Sequence, residues 1–218
     1  MRALLLAPLL AAAPAFAAPV PAGPSQYHCT GTGEGADGER ADVTLYFDAQ
    51  GRGEGRSATW DPPRTADPAA VANPPDLSLT LFYSEPGPGS PGASSGASVT
   101  AMAFAAPGTR GAGKLDSRLE GARAELSANG AAPTVLAMER DPRIADLPMT
   151  AMRFAALEPL PQATRQLSVR LLDRRGKLLA AARFDLSGTA RRDTLYREAW
   201  SKAEAEGADP AKCPAATE

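Results

Sequence analysis

The chain is poor in histidine, in cysteine, in apolar runs beyond its first residues and in any excess of positive charge. Its 218 residues hold one histidine, His28, and two cysteines, so carboxylates are almost the only source of metal ligands or acid–base groups. Lysine and arginine number 23 against 25 acidic residues, for a net charge of −2, and the basic residues are dispersed. That removes the electrostatic footprint nucleic acid requires and makes it an unexpected partner. No apolar stretch after the N-terminus is long enough to cross a bilayer, so no transmembrane span is expected.

The N-terminus carries a different signal. Arg2, the apolar run 3–13 and the triplet Ala15-Phe16-Ala17 read as a secretory signal peptide over residues 1–17, with small residues at −3 and −1. Pro8 and Pro14 argue against a buried helix there. A lipid anchor on Cys29 is not expected, because bulky, polar Gln26-Tyr27-His28 precede it. The expected product is a soluble protein of a Gram-negative periplasm, with the extracellular space as the alternative. It would comprise a flexible segment over 18–26, one domain over 27–213 and a tail over 214–218. About 200 residues can bury near 70% of their unfolded surface in a single core. In an oxidising compartment Cys29 and Cys213 are expected to pair. The loop so closed, 184 residues in sequence separation, restricts the unfolded chain by roughly 5 kcal/mol in the chain-entropy account.

The pattern inside the domain is two-fold. Val43, Leu45 and Phe47 alternate with polar residues, as do Leu77, Leu79 and Leu81, then Leu167, Val169 and Leu171, and Leu178 to Leu186 on the return. Asp48-Ala49-Gln50-Gly51-Arg52 and Asp173-Arg174-Arg175-Gly176-Lys177 share one form, an aspartate that accepts turn amides and a glycine that takes positive φ, and each predicts a hairpin. Residues 31–39 read as a glycine-rich turn, and 85–97 as a mobile loop of glycine, proline and serine. Further strands are predicted over 98–106, 134–139 and 149–156, with a turn over 107–113 and another at Arg140-Asp141-Pro142. Residues 114–129 fit a helical stripe or a strand, and strand is preferred because Asn129-Gly130 is a hairpin signal. The final segment, starting at Ser187 or Thr189 and ending near Gly207, predicts an amphipathic helix with Leu195, Tyr196, Ala199, Trp200 and Ala203 on one stripe. The expected class is mostly β: an antiparallel sandwich or barrel of about ten short strands with one C-terminal helix, its ends tied by a disulfide.

Motifs with catalytic form fail on context. Gly92-Ala93-Ser94-Ser95-Gly96 has the spacing of a nucleophile elbow but no helix after it and no following histidine. The glycine and lysine spacing of 108–114 suggests a phosphate loop, yet Leu115 stands where a Ser or Thr holds magnesium. Glu34, Asp37, Glu39 and Asp42 lack the alternation of a calcium loop. Glu120, Glu125 and Glu139 are acids on predicted strands and the only form in which paired-carboxylate hydrolysis can be raised. His28 reads as a neighbour of the bridge. Trp60, Phe184, Tyr196 and Trp200 are the rings that either pack the core or face a ligand. The expectation is therefore a non-enzymatic envelope protein with a structural or partner-binding role, its partner an envelope protein or a small ligand, without metal or cofactor. The alternatives are a carrier of an apolar or saccharide ligand inside a barrel, and a hydrolase with paired carboxylates.

Overall fold

A computed structural model describes residues 26–48, 50–68, 71–85, 94–103, 117–141, 144–153, 163–207 and 212–213. The expected signal peptide, the flexible segment expected over 18–26 except its last residue, Gln26, which is in strand, the turn at 107–113 and the tail lie outside the described residues. In chain order the elements are β1 (Gln26–Glu34), β2 (Arg40–Asp48), β3 (Gly53–Asp61), β4 (Arg64–Ala66), β5 (Asp76–Glu85), β6 (Ser94–Met102), β7 (Arg123–Ala128), β8 (Thr134–Ala137), β9 (Glu139–Asp141), β10 (Ile144–Arg153), β11 (Gln166–Leu172), β12 (Leu178–Asp185) and α1 (Thr189–Gly207). They form a seven-stranded antiparallel sheet, β1-β2-β3-β5-β6-β10-β9, and a five-stranded one, β4-β12-β11-β7-β8. The mostly β sandwich with a C-terminal helix is the expected fold.

The two hairpins close by the same chemistry. The Asp48 carboxylate accepts from the backbone N–H of Gln50 (2.9 Å) and Arg52 (2.8 Å), and Gly51 takes φ +77°. Asp173 accepts from Arg175 (2.8 Å) and Lys177 (2.9 Å), and Gly176 takes φ +83°. These amide bonds, first of all that of Arg52 in one turn and that of Lys177 in the other, hold both carboxyls below the usual aspartate range. One hairpin sits in each sheet.

Two described corners carry the chain between sheets. At Pro62-Pro63 the line of β3 leaves the large sheet and continues as β4 beside β12, with Asp185 N donating to the Pro63 carbonyl at 3.0 Å. At buried Met138 the chain leaves β8 in one sheet and becomes β9 in the other. Trp60, Leu79, Val99, Leu167, Val169 and Phe184, all 2% exposed or less, fill the layer between the sheets. Each large side chain buried there contributes on the order of 1.5–3 kcal/mol.

The helix packs on β1 and β2 at a distance only glycine allows. A Cβ on Gly31 would overlap the Ala199 carbonyl and lie 2.6 Å from Ala203 N, and one on Gly33 would overlap the Leu195 carbonyl. Leu195, Ala199 and Ala203, four residues apart in succession, are the buried stripe of α1. The Lys202 ammonium crosses the edge of the sheet and donates to the Thr32 carbonyl of β1 at 2.7 Å. Cys29 and Cys213 are joined, with Cα atoms 5.0 Å apart, and tie the chain beyond the helix back to β1.

Several expectations need correction. Gly31–Glu34 belong to β1 rather than to a turn, because a Cβ-free strand is what admits the helix; the turn is Gly35–Glu39. Of the loop expected over 85–97, Glu85 ends β5 and 94–97 pair with it as the start of β6, while 86–93 lie outside the described residues. Of residues 114–129, those from 117 on are described and are mixed: Ser117–Leu119 form a 3-10 turn and, among them, only Arg123–Ala128 form strand. Gly121 at φ +66° separates the two. Arg140-Asp141, expected as a turn, are strand in β9, and β10 begins five residues before the predicted start at 149.

Candidate functional site

The inner face of the seven-stranded sheet is longer than the layer that covers it. Alternation along β2 turns Val43, Leu45 and Phe47 toward that face. Register then sets Val43 opposite Ala58 and Leu45 opposite Arg56, and continues from Ala58 to Tyr83 and from Arg56 to Glu85. Facing them is the flank of α1, where Tyr196, Trp200 and Glu204 follow one another a turn apart. Between flank and sheet runs a groove.

Its larger compartment, about 550 Å3, is bounded by Leu45, Phe47, Gly53, Arg56, Glu85, Trp200 and Glu204, and the end of α1 at Gly207. Behind Phe47 stands Tyr27, stacked on it with ring centroids 5.0 Å apart. A smaller compartment of about 250 Å3 lies between Val43, Ala58, Tyr83 and Tyr196. Arg56 and Trp200 border both. The Arg56 guanidinium lies 5.5 Å from the centre of the Trp200 ring and is ion-paired with Glu85. Tyr196 roots the wall: burial pushes its hydroxyl up to about 12. Tyr83 is 40% exposed at the rim.

Comparison of the chain with protein-family models, with curated proteins and with solved structures returns no match. The chemistry of the site must therefore be read from its own residues.

Of the four rings singled out in the sequence, Tyr196 and Trp200 meet at this groove, whereas Trp60 and Phe184 are core. Trp60 also has a polar duty. Its indole N–H donates to Glu39 Oε1 at 3.1 Å, and Glu39 is a fully buried carboxylate. Oε2 accepts no hydrogen bond of ordinary geometry and is compensated by Arg191 Nε. Arg192 lies 5.6 Å over the Trp60 ring, so the first turn of α1 clamps the pair from above. These partners spend Glu39 on joining helix to sheet. Asp42 is held by Arg40 and Thr32 on the outer face. Among the described residues no three His, Cys, Asp or Glu side chains gather where they could hold a metal ion.

Ser94, Ser95 and Gly96 lie inside β6, paired with Ser84, Tyr83 and Phe82, and not on a strand-to-helix turn. Residues 108–114 lie outside the described residues. Glu120 stands in a turn rather than on a strand, Glu125 is ion-paired with Arg170 at 2.6 Å, and Glu139 is in β9 of the other sheet. His28 faces Tyr46 on β2, with ring centroids 6.1 Å apart. A shallow cleft of about 210 Å3 does bring Asp37, Asp61 and Asp76 to one surface, where Asp76 is ion-paired with Arg64 and Asp61 accepts from the Thr80 hydroxyl. Burial raises the Asp61 carboxyl, and the Thr80 bond opposes that rise.

Arg56 and Glu85, the charged pair of the groove, were missed in the sequence reading. The available signal was alternation: Arg56 occupies a position that period two turns to the same face as Ala58 and Trp60, where a charge needs a reason.

Proposed function

We propose that the protein is an exported, non-enzymatic component of the cell envelope that binds a partly apolar ligand in the groove between α1 and the β2–β3–β5 face. The groove carries this reading: a compartment of about 550 Å3 walled by Phe47, Leu45 and Trp200, with Arg56, Glu85 and Glu204 as the charged groups among its described lining. Small-ligand sites are typically concavities of roughly 300–1,000 Å3 with mostly apolar walls and a few placed polar groups. Export is supported by the pattern of residues 1–17 and by the Cys29–Cys213 bridge, a bond that persists in oxidising compartments. A ligand inside a barrel is the weaker reading, because Trp60, Phe184 and the leucines around them fill the layer between the sheets.

The test uses Gly53, where an added Cβ meets nothing within 4 Å and which opposes Phe47 across the hairpin. Gly53→Val therefore adds bulk to the wall of the groove at a position where the new Cβ has open space. The neutral dye N-phenyl-1-naphthylamine should brighten with the wild-type protein and at least fivefold less with the variant. Equal brightening in both would overturn the groove as the site.

A further inference from the structure

We infer that the groove selects an organic cation: an ammonium or guanidinium group carried on an apolar body. The inference rests on the groove being the ligand site and adds the sign of the ligand's charge.

The first ground is the charge left over. Among the described residues the larger compartment is lined by one cation, Arg56, and two carboxylates, Glu85 and Glu204. Arg56 and Glu85 neutralise each other through their ion pair. Glu204, exposed on α1 and outside the described ion pairs, leaves the compartment with one net negative charge. An anionic ligand would meet that charge, while a cation would complete it.

The second ground is the aromatic surface that Arg56 leaves for a cation. The Arg56 guanidinium rests between the Trp200 ring, 5.5 Å from its centre, and the Glu85 carboxylate. With Trp200 and Glu85 taken by Arg56, a ligand cation is left Glu204 and the Phe47 ring in the larger compartment and the Tyr83 ring in the smaller. The apolar body is accounted for by the smaller compartment, where Val43, Ala58, Tyr83 and Tyr196 meet the ligand with carbon and ring surface. Because Arg56 and Trp200 border both compartments, a ligand that crosses this bar has its charged group beside Glu204 and its body beside Tyr83.

Such a cation can be a free amine or the basic side chain of a peptide, and calorimetric titration with three compounds separates the cases. 3-Phenylpropylammonium and 4-phenylbutyrate share an apolar body and differ in charge; N-acetyl-Phe-Arg-amide presents the guanidinium on a peptide. The wild-type protein should bind at least one of the two cations tenfold or more tightly than 4-phenylbutyrate. Preference for the small amine assigns a free ligand, and preference for the peptide assigns a basic side chain. Glu204→Gln should cut the preference for cations at least threefold. Equal or tighter binding of the anion, or an unchanged preference in Glu204→Gln, overturns the inference but leaves the groove as a site if the dye still responds to Gly53→Val. Absence of binding by both cations overturns it as well, and loss of the dye response to Gly53→Val overturns the reading beneath it.

Discussion

The two ends of one sheet face are covered in opposite ways. Around Trp60, Leu79 and Val99 the seven-stranded sheet meets a second sheet, and large side chains interlock to fill the space between them. Around Val43, Leu45 and Ala58 it meets a helix, and contact is made by removing side chains: Gly31 and Gly33 below, Ala199 and Ala203 above. The first end is stabilised by volume. The second is stabilised by close approach of backbones, and because the helix is narrower than a sheet it leaves the groove along its flank. A binding site arises here as the uncovered remainder of a packing problem.

That contrast predicts opposite sensitivities. At the sheet-on-sheet end, Phe184→Ala should cost about 3–5 kcal/mol in denaturant unfolding, through lost burial and the cavity left behind. At the helix end a single added methyl suffices: Gly31→Ala should cost about 3 kcal/mol, because the helix backbone must move. Hydrogen exchange should then accelerate in α1 while β11 and β12 keep their protection. Stability within about 0.5 kcal/mol of wild type would show that the glycines do not set the helix position.

A smaller effect belongs to Tyr196, which touches both ends. Folded, it keeps its proton to about pH 12, whereas a tyrosine in the unfolded chain releases it near ~10. Its contribution is therefore whole below pH ~10 and is lost as pH rises from there through about 12. By pH 11.5 the loss should be about 2 kcal/mol, and Tyr196→Phe should flatten that alkaline limb. Identical alkaline limbs in the two proteins would remove the burial argument.

The smallest effect compares the sheets through their matching turns. The folded carboxyls of Asp48 and Asp173 lie below the unfolded value, so each contributes stability above pH ~4 that is lost as pH falls through the depressed folded value. Asp48→Asn and Asp173→Asn should each flatten the acid limb of the unfolding curve by a similar amount. A change in only one of them would show that the shared turn form hides different energetics.

The features legible in the sequence were those decided over a few residues. Asp48 with Gly51 and Asp173 with Gly176 specify their turns locally, and the apolar stripe of 195–203 specifies its helix. The bridge was legible for a different reason, since two cysteines allow one pairing. Gly31 was misread because glycine has two uses, freedom in turns and thinness in contacts, and composition does not separate them. Periodicity would have: Tyr27, Cys29, Gly31 and Gly33 occupy alternate positions against His28, Thr30, Thr32 and Glu34. The same phase carries Glu39 inward ahead of Ala41 and Val43, where it is found buried. The groove was only half legible. Tyr196 and Trp200 stood out by helical spacing, but their partners come from three strands whose neighbourhood is set by register across the sheet.

One lysine bears on how the molecule behaves among its own copies. β1 is the outer strand of its sheet, and such a strand offers unpaired carbonyls and amides to any other strand that drifts alongside. Lys202 takes up the Thr32 carbonyl and sets an ammonium group, itself paired with Glu198 at 2.7 Å, on the line an incoming strand would follow. The helix that shapes the groove with one flank thus sets a charge at the edge of the sheet with another, the kind of group that disfavours edge-to-edge pairing.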